Sequence, residues 1–163
     1  MSFKNLHQLF CCLLLVFPLS AKELYFQHID LNDGITQPSA ISIYEDAKGY
    51  IWFGNDNFNL YDGRIVRSFR LSTYMDGVED NNIHAICGDS ESFIYMLANN
   101  RVVTYNIRTE EFKRTDISAS TLTWQDEYLY YSYRNQFYRY RPGGSPEKVC
   151  AFQDSTNTIK SVL

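Results

Sequence analysis

From Ala40 to Phe69, short apolar runs alternate with turn residues, and the pattern predicts four antiparallel strands. Ile41 and Ile43 flank polar Ser42, the period-two alternation of a half-buried strand. Glu45-Asp46-Ala47-Lys48-Gly49 reads as a turn in which Gly49 takes the positive φ that strains other residues. Tyr50-Ile51-Trp52-Phe53 is the most apolar run and suits a strand covered on both faces. Gly54 closes it where a neighbouring backbone has to come near. Leu60-Tyr61 and Ile65-Val66-Arg67-Ser68-Phe69 flank Asp62-Gly63, a strong short-range hairpin signal. Any small β-meander would satisfy this pattern once.

It recurs. Ala40, Ile43 and Asp46 set a spacing that Ile83, Ile86 and Asp89 repeat, and Tyr50-Ile51-Trp52-Phe53 is matched by Phe93-Ile94-Tyr95-Met96. Tyr61 corresponds to Tyr105, and Phe69 to Phe112. A third copy starts near Ala119 and Leu122, with Tyr128-Leu129-Tyr130-Tyr131 and Phe137-Tyr138-Arg139-Tyr140 as its strands; a fourth begins at Ile159. The starts at Ala40, Ile83, Ala119 and Ile159 lie about 43, 36 and 40 residues apart, the size of a four-stranded propeller blade. The predicted fold is therefore all-β: a partial β-propeller of about three four-stranded antiparallel blades (about 40–70, 83–114 and 119–149), a leading strand and the start of a fourth blade at 159. Leu24-Tyr25-Phe26-Gln27-His28-Ile29 is the leading strand, which in a closed ring would pair with the last blade and remove a free edge. Trp52, Tyr95 and Tyr130 recur at matching places, as packing between blades requires. The copies differ in detail: Leu97 stands where the first has Gly54, and the third has a shortened Gln125-Asp126-Glu127 turn.

Composition narrows the function. Aromatic residues make up 16% of the 163, mostly 13 Tyr and 11 Phe, which favour pleated strands. A net charge of −4 with scattered Lys and Arg argues against nucleic-acid binding, which draws its affinity from clustered cations. Lys4, the apolar run from Leu9 to Leu19 and the small residues Ser20-Ala21 form the three-part pattern of a secretory signal over residues 1–21, leaving 22–163 as the propeller segment. That run is shorter than the about 20 residues a membrane span needs. Cys87 and Cys150 remain after cleavage. They could pair in an oxidising compartment or sit unpaired as small buried hydrophobes. No Cys-x-x-Cys occurs and His28 and His84 are isolated, so neither a metal nor another cofactor is expected.

Asp33-Gly34-Ile35, Ser39 to Asp46, Lys48-Gly49-Tyr50-Ile51-Trp52-Phe53-Gly54 and Leu60-Tyr61-Asp62-Gly63 together resemble the two-component regulator propeller repeat. Asp46, Gly49, Trp52, Gly54, Tyr61, Asp62 and Gly63 carry that signature, with Asn55 where the family usually has Thr. The leading strand and the Asp33-Gly34-Ile35 segment also resemble the mature start of hybrid two-component sensors. The resemblance implies a non-enzymatic sensing region, exported to the periplasmic face of the inner membrane, that binds oligosaccharides released from a polysaccharide. It further implies a histidine kinase and a membrane span in C-terminal parts outside these residues. The chain is thus expected to be an N-terminal fragment, with no signalling output of its own. Two uncovered sheet faces and an unpaired edge would then favour association of the isolated chain.

Site candidates follow from chemistry. Trp124 beside Gln125 and Asp126 offers the aromatic face and polar neighbours that sugar recognition uses, although strand periodicity favours packing of Trp124 within the entry strand. The loop from Asp76 to Asn82 lacks the spacing of a calcium loop and reads as a solvated connection. Asp46 and Asp89 recur at one turn position, which suits capping of backbone amides better than acid catalysis. Alternative functions are a propeller glycosidase or lyase, which would need two convergent carboxylates, and a protein-binding propeller scaffold.

Overall fold

A computed structural model describes residues 26, 28–78 and 81–151. Within them lie three four-stranded antiparallel sheets, each a meander in chain order. The first comprises β1 (Ser42–Glu45), β2 (Ile51–Gly54), β3 (Phe58–Tyr61) and β4 (Val66–Phe69). A connection holding the short helix α1 (Leu71–Tyr74) leads to β5 (Ile83–Gly88), β6 (Phe93–Ala98), β7 (Arg101–Asn106) and β8 (Glu111–Ser118). The third sheet is β9 (Thr121–Gln125), β10 (Tyr128–Tyr133), β11 (Gln136–Tyr140) and β12 (Glu147–Ala151). Strand β5 touches both β1 and β9, so the first strands of the sheets gather at a common axis and the sheets fan outward. The chain forms an open arc of a β-propeller, as the repeat predicted.

Period-two alternation places the two halves of each strand in different cores. Ile94 and Met96 of β6 face the first sheet and pack with Trp52, Phe58, Leu60 and Phe69, alongside Val103 and Tyr105. Tyr95 and Leu97 face the third sheet and pack with Leu122, Leu129 and Tyr131. The second sheet is thus buried on both sides, and each fully buried large side chain contributes about 1.5–3 kcal/mol. The first core is ring-rich: Trp52 stacks on Phe58 at 5.1 Å, and Tyr105 lies 4.7 Å from Phe112. Leu71 of α1 is fully buried in it, which anchors the connection between the first two sheets. Gly54 sits where sheets one and two touch. A Cβ there would come within 2.6 Å of Ile83 Cβ and Cγ2.

The same packing corrects one sequence expectation. Ile41 and Ile43 do not form the buried side of β1; they are 57% and 65% exposed. Ser42 faces the second sheet instead, its hydroxyl accepting from the Ile86 amide at 2.8 Å. Tyr130, expected between blades, lies half-buried on the far side of the third sheet, stacked on Phe137 at 5.8 Å. Its register matches Trp52 and Tyr95, but no described sheet covers that side. Of the leading strand, Phe26, His28 and Ile29 carry no strand pairing, since the sheet they would join is not among those described; Leu24, Tyr25 and Gln27 lie outside the described residues. The signal segment and the fourth start at Ile159 lie outside them too. Cys87 is buried and free, whereas Cys150 is free but exposed on the outermost strand.

The segment before β1 lies against the outer face of the first sheet. Ile35 is buried there, Gln37 hydrogen-bonds Asp56, and Asn57 Nδ2 donates to Thr36 Oγ1 at 3.1 Å. Beneath it Asn59 is fully buried; its amide donates to Phe53 O, Asn55 Oδ1 and Asn57 O, and its Oδ1 has no partner among the described residues. No helix among the described residues is long and apolar enough to cross a membrane.

Candidate functional site

The turn joining the first two strands of each sheet sets the geometry of one end of the arc. In the first sheet, Asp46 Oδ1 accepts from the amides of Lys48 (2.9 Å) and Tyr50 (3.1 Å), while Oδ2 accepts from the Trp52 indole at 2.9 Å. One carboxylate thereby holds a turn and orients a core ring. Asp89 repeats the turn half of this arrangement, its Oδ1 accepting from Glu91, Ser92 and Phe93. Residue 95 is Tyr, so Asp89 has no indole to hold. Gly49 takes φ +79 behind Asp46, and Gly63 takes φ +91 in the Asp62 turn, where Asp62 Oδ1 accepts from Arg64 and Ile65. Those two amides hold the Asp62 carboxyl below the usual carboxylate range, Ile65 contributing most.

The third sheet departs from this scheme. Asp126 and Glu127 both have positive φ, a two-residue hairpin with no room for a capping loop. Their carboxylates are exposed, and Glu127 pairs with Arg141 at 2.6 Å. Trp124, half-buried in β9, lies parallel to Tyr95 with centroids 5.2 Å apart. Its other neighbours form a cleft of about 410 Å³ with Asp89, Glu91, Glu127, Arg141 and Pro142. Burial raises the Tyr95 hydroxyl above its ordinary range, so this ring stays neutral.

Of the three residues singled out in the sequence, only Trp124 lines this cleft. Gln125 is the next residue in an alternating strand and belongs to the opposite face; Asp126 sits at the tip of the turn. Glu91, Glu127 and Arg141 were not signalled, because the hairpin between β11 and β12 that brings Arg141 across has no counterpart in the repeat signature. Chemically, the cleft pairs one indole ring with carboxylates. Asp89 already spends an oxygen on three amides, and Arg141 is matched by Glu127. Such a lining suits stacking and hydrogen bonding to a bound group.

Residues 34–57 match the family model for the two component regulator propeller. The matched stretch of the repeat holds Asp46, Gly49, Trp52 and Gly54, while Tyr61, Asp62 and Gly63 follow it in β3 and its turn. Two solved structures share the propeller arc, both of the extracellular domain of BT4673 from B. thetaiotaomicron, described in one case as a one component system and in the other as a hybrid two component system. The first is 21% identical over 66% of this chain with a TM-score of 0.52; the second is 20% identical over 69% with a TM-score of 0.53. The chain spans only 15% and 16% of their lengths. No curated protein matches it.

Proposed function

We propose that this arc belongs to the ligand-sensing propeller of a hybrid two-component sensor, exported to the periplasmic side of the inner membrane and responsive to oligosaccharides released from a polysaccharide. The observation that carries this reading is the propeller repeat at residues 34–57, set in a fold shared with an extracellular domain of a system described as hybrid two component. The three-part signal pattern over residues 1–21 supports export. Among the described residues, carboxylates at repeated turn positions serve backbone amides, which supports binding over hydrolysis. The sensing role rests on completion of the ring by further blades and on a kinase elsewhere in the same protein.

Incubating the intact protein with defined oligosaccharides tests this. Saturable binding with unchanged saccharides is the expected result. Appearance of shorter products would instead favour a propeller glycosidase or lyase, and the absence of both would favour a protein-binding scaffold.

A further inference from the structure

We propose that the outer wedge between the second and third sheets is a docking cleft for uncharged saccharide rings, a specificity that rests on the saccharide reading above. The cleft has a volume of about 500 Å³, inside the range of roughly 300–1,000 Å³ typical of ligand sites. One wall is made by Tyr131 and Tyr133 of β10 and Tyr138 and Tyr140 of β11. They share one side of the sheet because alternate strand residues do. Register places Tyr131 opposite Tyr138, and their rings stack at 5.1 Å and 11°. Tyr131 is buried behind, while Tyr133, Tyr138 and Tyr140 are half-buried and line the opening. The Tyr138 hydroxyl is oriented by a hydrogen bond to Gln136.

The facing wall is a bulge. Pairing of β8 with β7 shifts register between Arg101 and Val103. Thr115 Oγ1 there donates to Val102 O at 2.7 Å and accepts from the Ile117 amide at 3.2 Å. A bulge of this kind turns side chains off the ladder, and here it leaves the exposed Asp116 carboxylate beside the tyrosines. Both walls belong to sheets already packed on each other, so no additional blade is needed to form this cleft. The outer faces of the first and third sheets differ in that respect.

Chemistry selects the occupant. Aromatic faces carry the negative part of the ring quadrupole and attract the polarised C–H groups on a face of a pyranose. Tyrosine hydroxyls and Asp116 can exchange hydrogen bonds with its hydroxyls. No Lys or Arg is among the lining residues; Arg101, whose guanidinium donates to Asp116 O at 3.4 Å, and Arg134, 5.4 Å over the Tyr133 ring, stand beside them. The adjoining Trp124 cleft contributes Asp89, Glu91 and Glu127, and its arginine is already paired. The lining itself offers a uronate or sulfate the Asp116 carboxylate and no cation, which disfavours acidic glycans.

The experiment is calorimetric titration of the intact protein with xylotetraose, cellotetraose, maltotetraose and mannotetraose, against tetragalacturonate and a heparin tetrasaccharide. At least one uncharged probe is expected to bind, and Tyr138→Ala and Tyr140→Ala should each weaken it about tenfold or more, the loss expected on truncating an aromatic anchor. Tyr138→Phe, which keeps the ring, should bind nearly as the parent does. Nitration with tetranitromethane, mapped by mass spectrometry, reads the same site without substitution; Tyr138 and Tyr140 should be protected by saturating probe. Uncharged-probe binding that is indifferent to both alanine variants, or without protection of either tyrosine, overturns this cleft and leaves the saccharide-sensor reading standing. Binding confined to the acidic probes overturns the specificity, and no binding by any probe overturns both readings.

Discussion

Removing the Asp46 carboxylate should cost much more than removing its counterpart Asp89. Asp46 is 5% exposed and Trp52, its indole partner, 1%. In Asp46→Ala, the amides of Lys48 and Tyr50 lose an acceptor near the surface, where water can replace it, a loss of about 1 kcal/mol. The Trp52 indole N–H has no such recourse. It loses a 2.9 Å bond to a charged group and stays buried among Phe58 and Tyr105, worth a further 1.5–3 kcal/mol or so. The expected total is about 2.5–4 kcal/mol, against about 1 kcal/mol for Asp89→Ala, whose Oδ1 serves turn amides. Urea unfolding of the intact protein, followed by tryptophan fluorescence and far-UV circular dichroism, measures both. A double-mutant cycle of Asp46→Ala with Trp52→Phe should show a coupling of about 1.5–3 kcal/mol, since the pair is direct and desolvated. Equal losses for the two aspartates, or a cycle that closes to zero, would refute the claim that the turn carboxylate orients the inter-sheet core.

Gly54→Ala should destabilise by about 1–3 kcal/mol, because the new methyl meets Ile83 Cβ and its carbonyl oxygen, neither of which can swing away; an unchanged urea midpoint would contradict the close approach. Cys150 should react with a thiol reagent in the folded protein while Cys87 reacts only on unfolding, since burial removes access to Cys87 and pushes its thiol up; peptide mapping after labelling distinguishes them. Acid should destabilise the arc. Asp62 is held low by the Ile65 and Arg64 amides, and Glu110 by the Arg67 guanidinium. Carboxylates depressed in the folded state contribute stability above their unfolded value of about 4, and lose it as pH falls through the folded one. Unfolding midpoints should therefore be flat above about pH 5 and fall below it, with Asp62→Asn reducing the acid-dependent part.

Local order was legible without coordinates. Alternating apolar residues, turn glycines and capping aspartates act over a few residues, so each strand and hairpin of the first repeat can be read from its own neighbours. Spacing between copies then implies sheets of similar build placed side by side. What alternation cannot specify is which of two apolar sides finds a partner. Ile41 and Ile43 have the look of core residues, yet the neighbouring sheet lies on the side of Ser42 and Tyr44. Tyr130 repeats the register of Trp52 and Tyr95 but meets no described sheet.

Complementarity between copies was equally hidden. Where the first and second sheets meet, Tyr44 leans over Gly88, whose Cβ would lie 2.8 Å from the Tyr44 ring. At the matching places the second and third sheets carry a small Cys87 and a large Trp124, the bulk having moved across the boundary. Neither residue signals this alone, because volume has only to balance between partners. The same reason hides the tyrosine wedge. Its wall residues lie on β8, β10 and β11, and only the bulge in β8 and the fan of the sheets bring Asp116 beside Tyr138 and Tyr140. Short-range hydrogen bonding and periodicity are properties of sequence; the choice of face, the exchange of volume and the cleft between sheets arise only when distant segments pack.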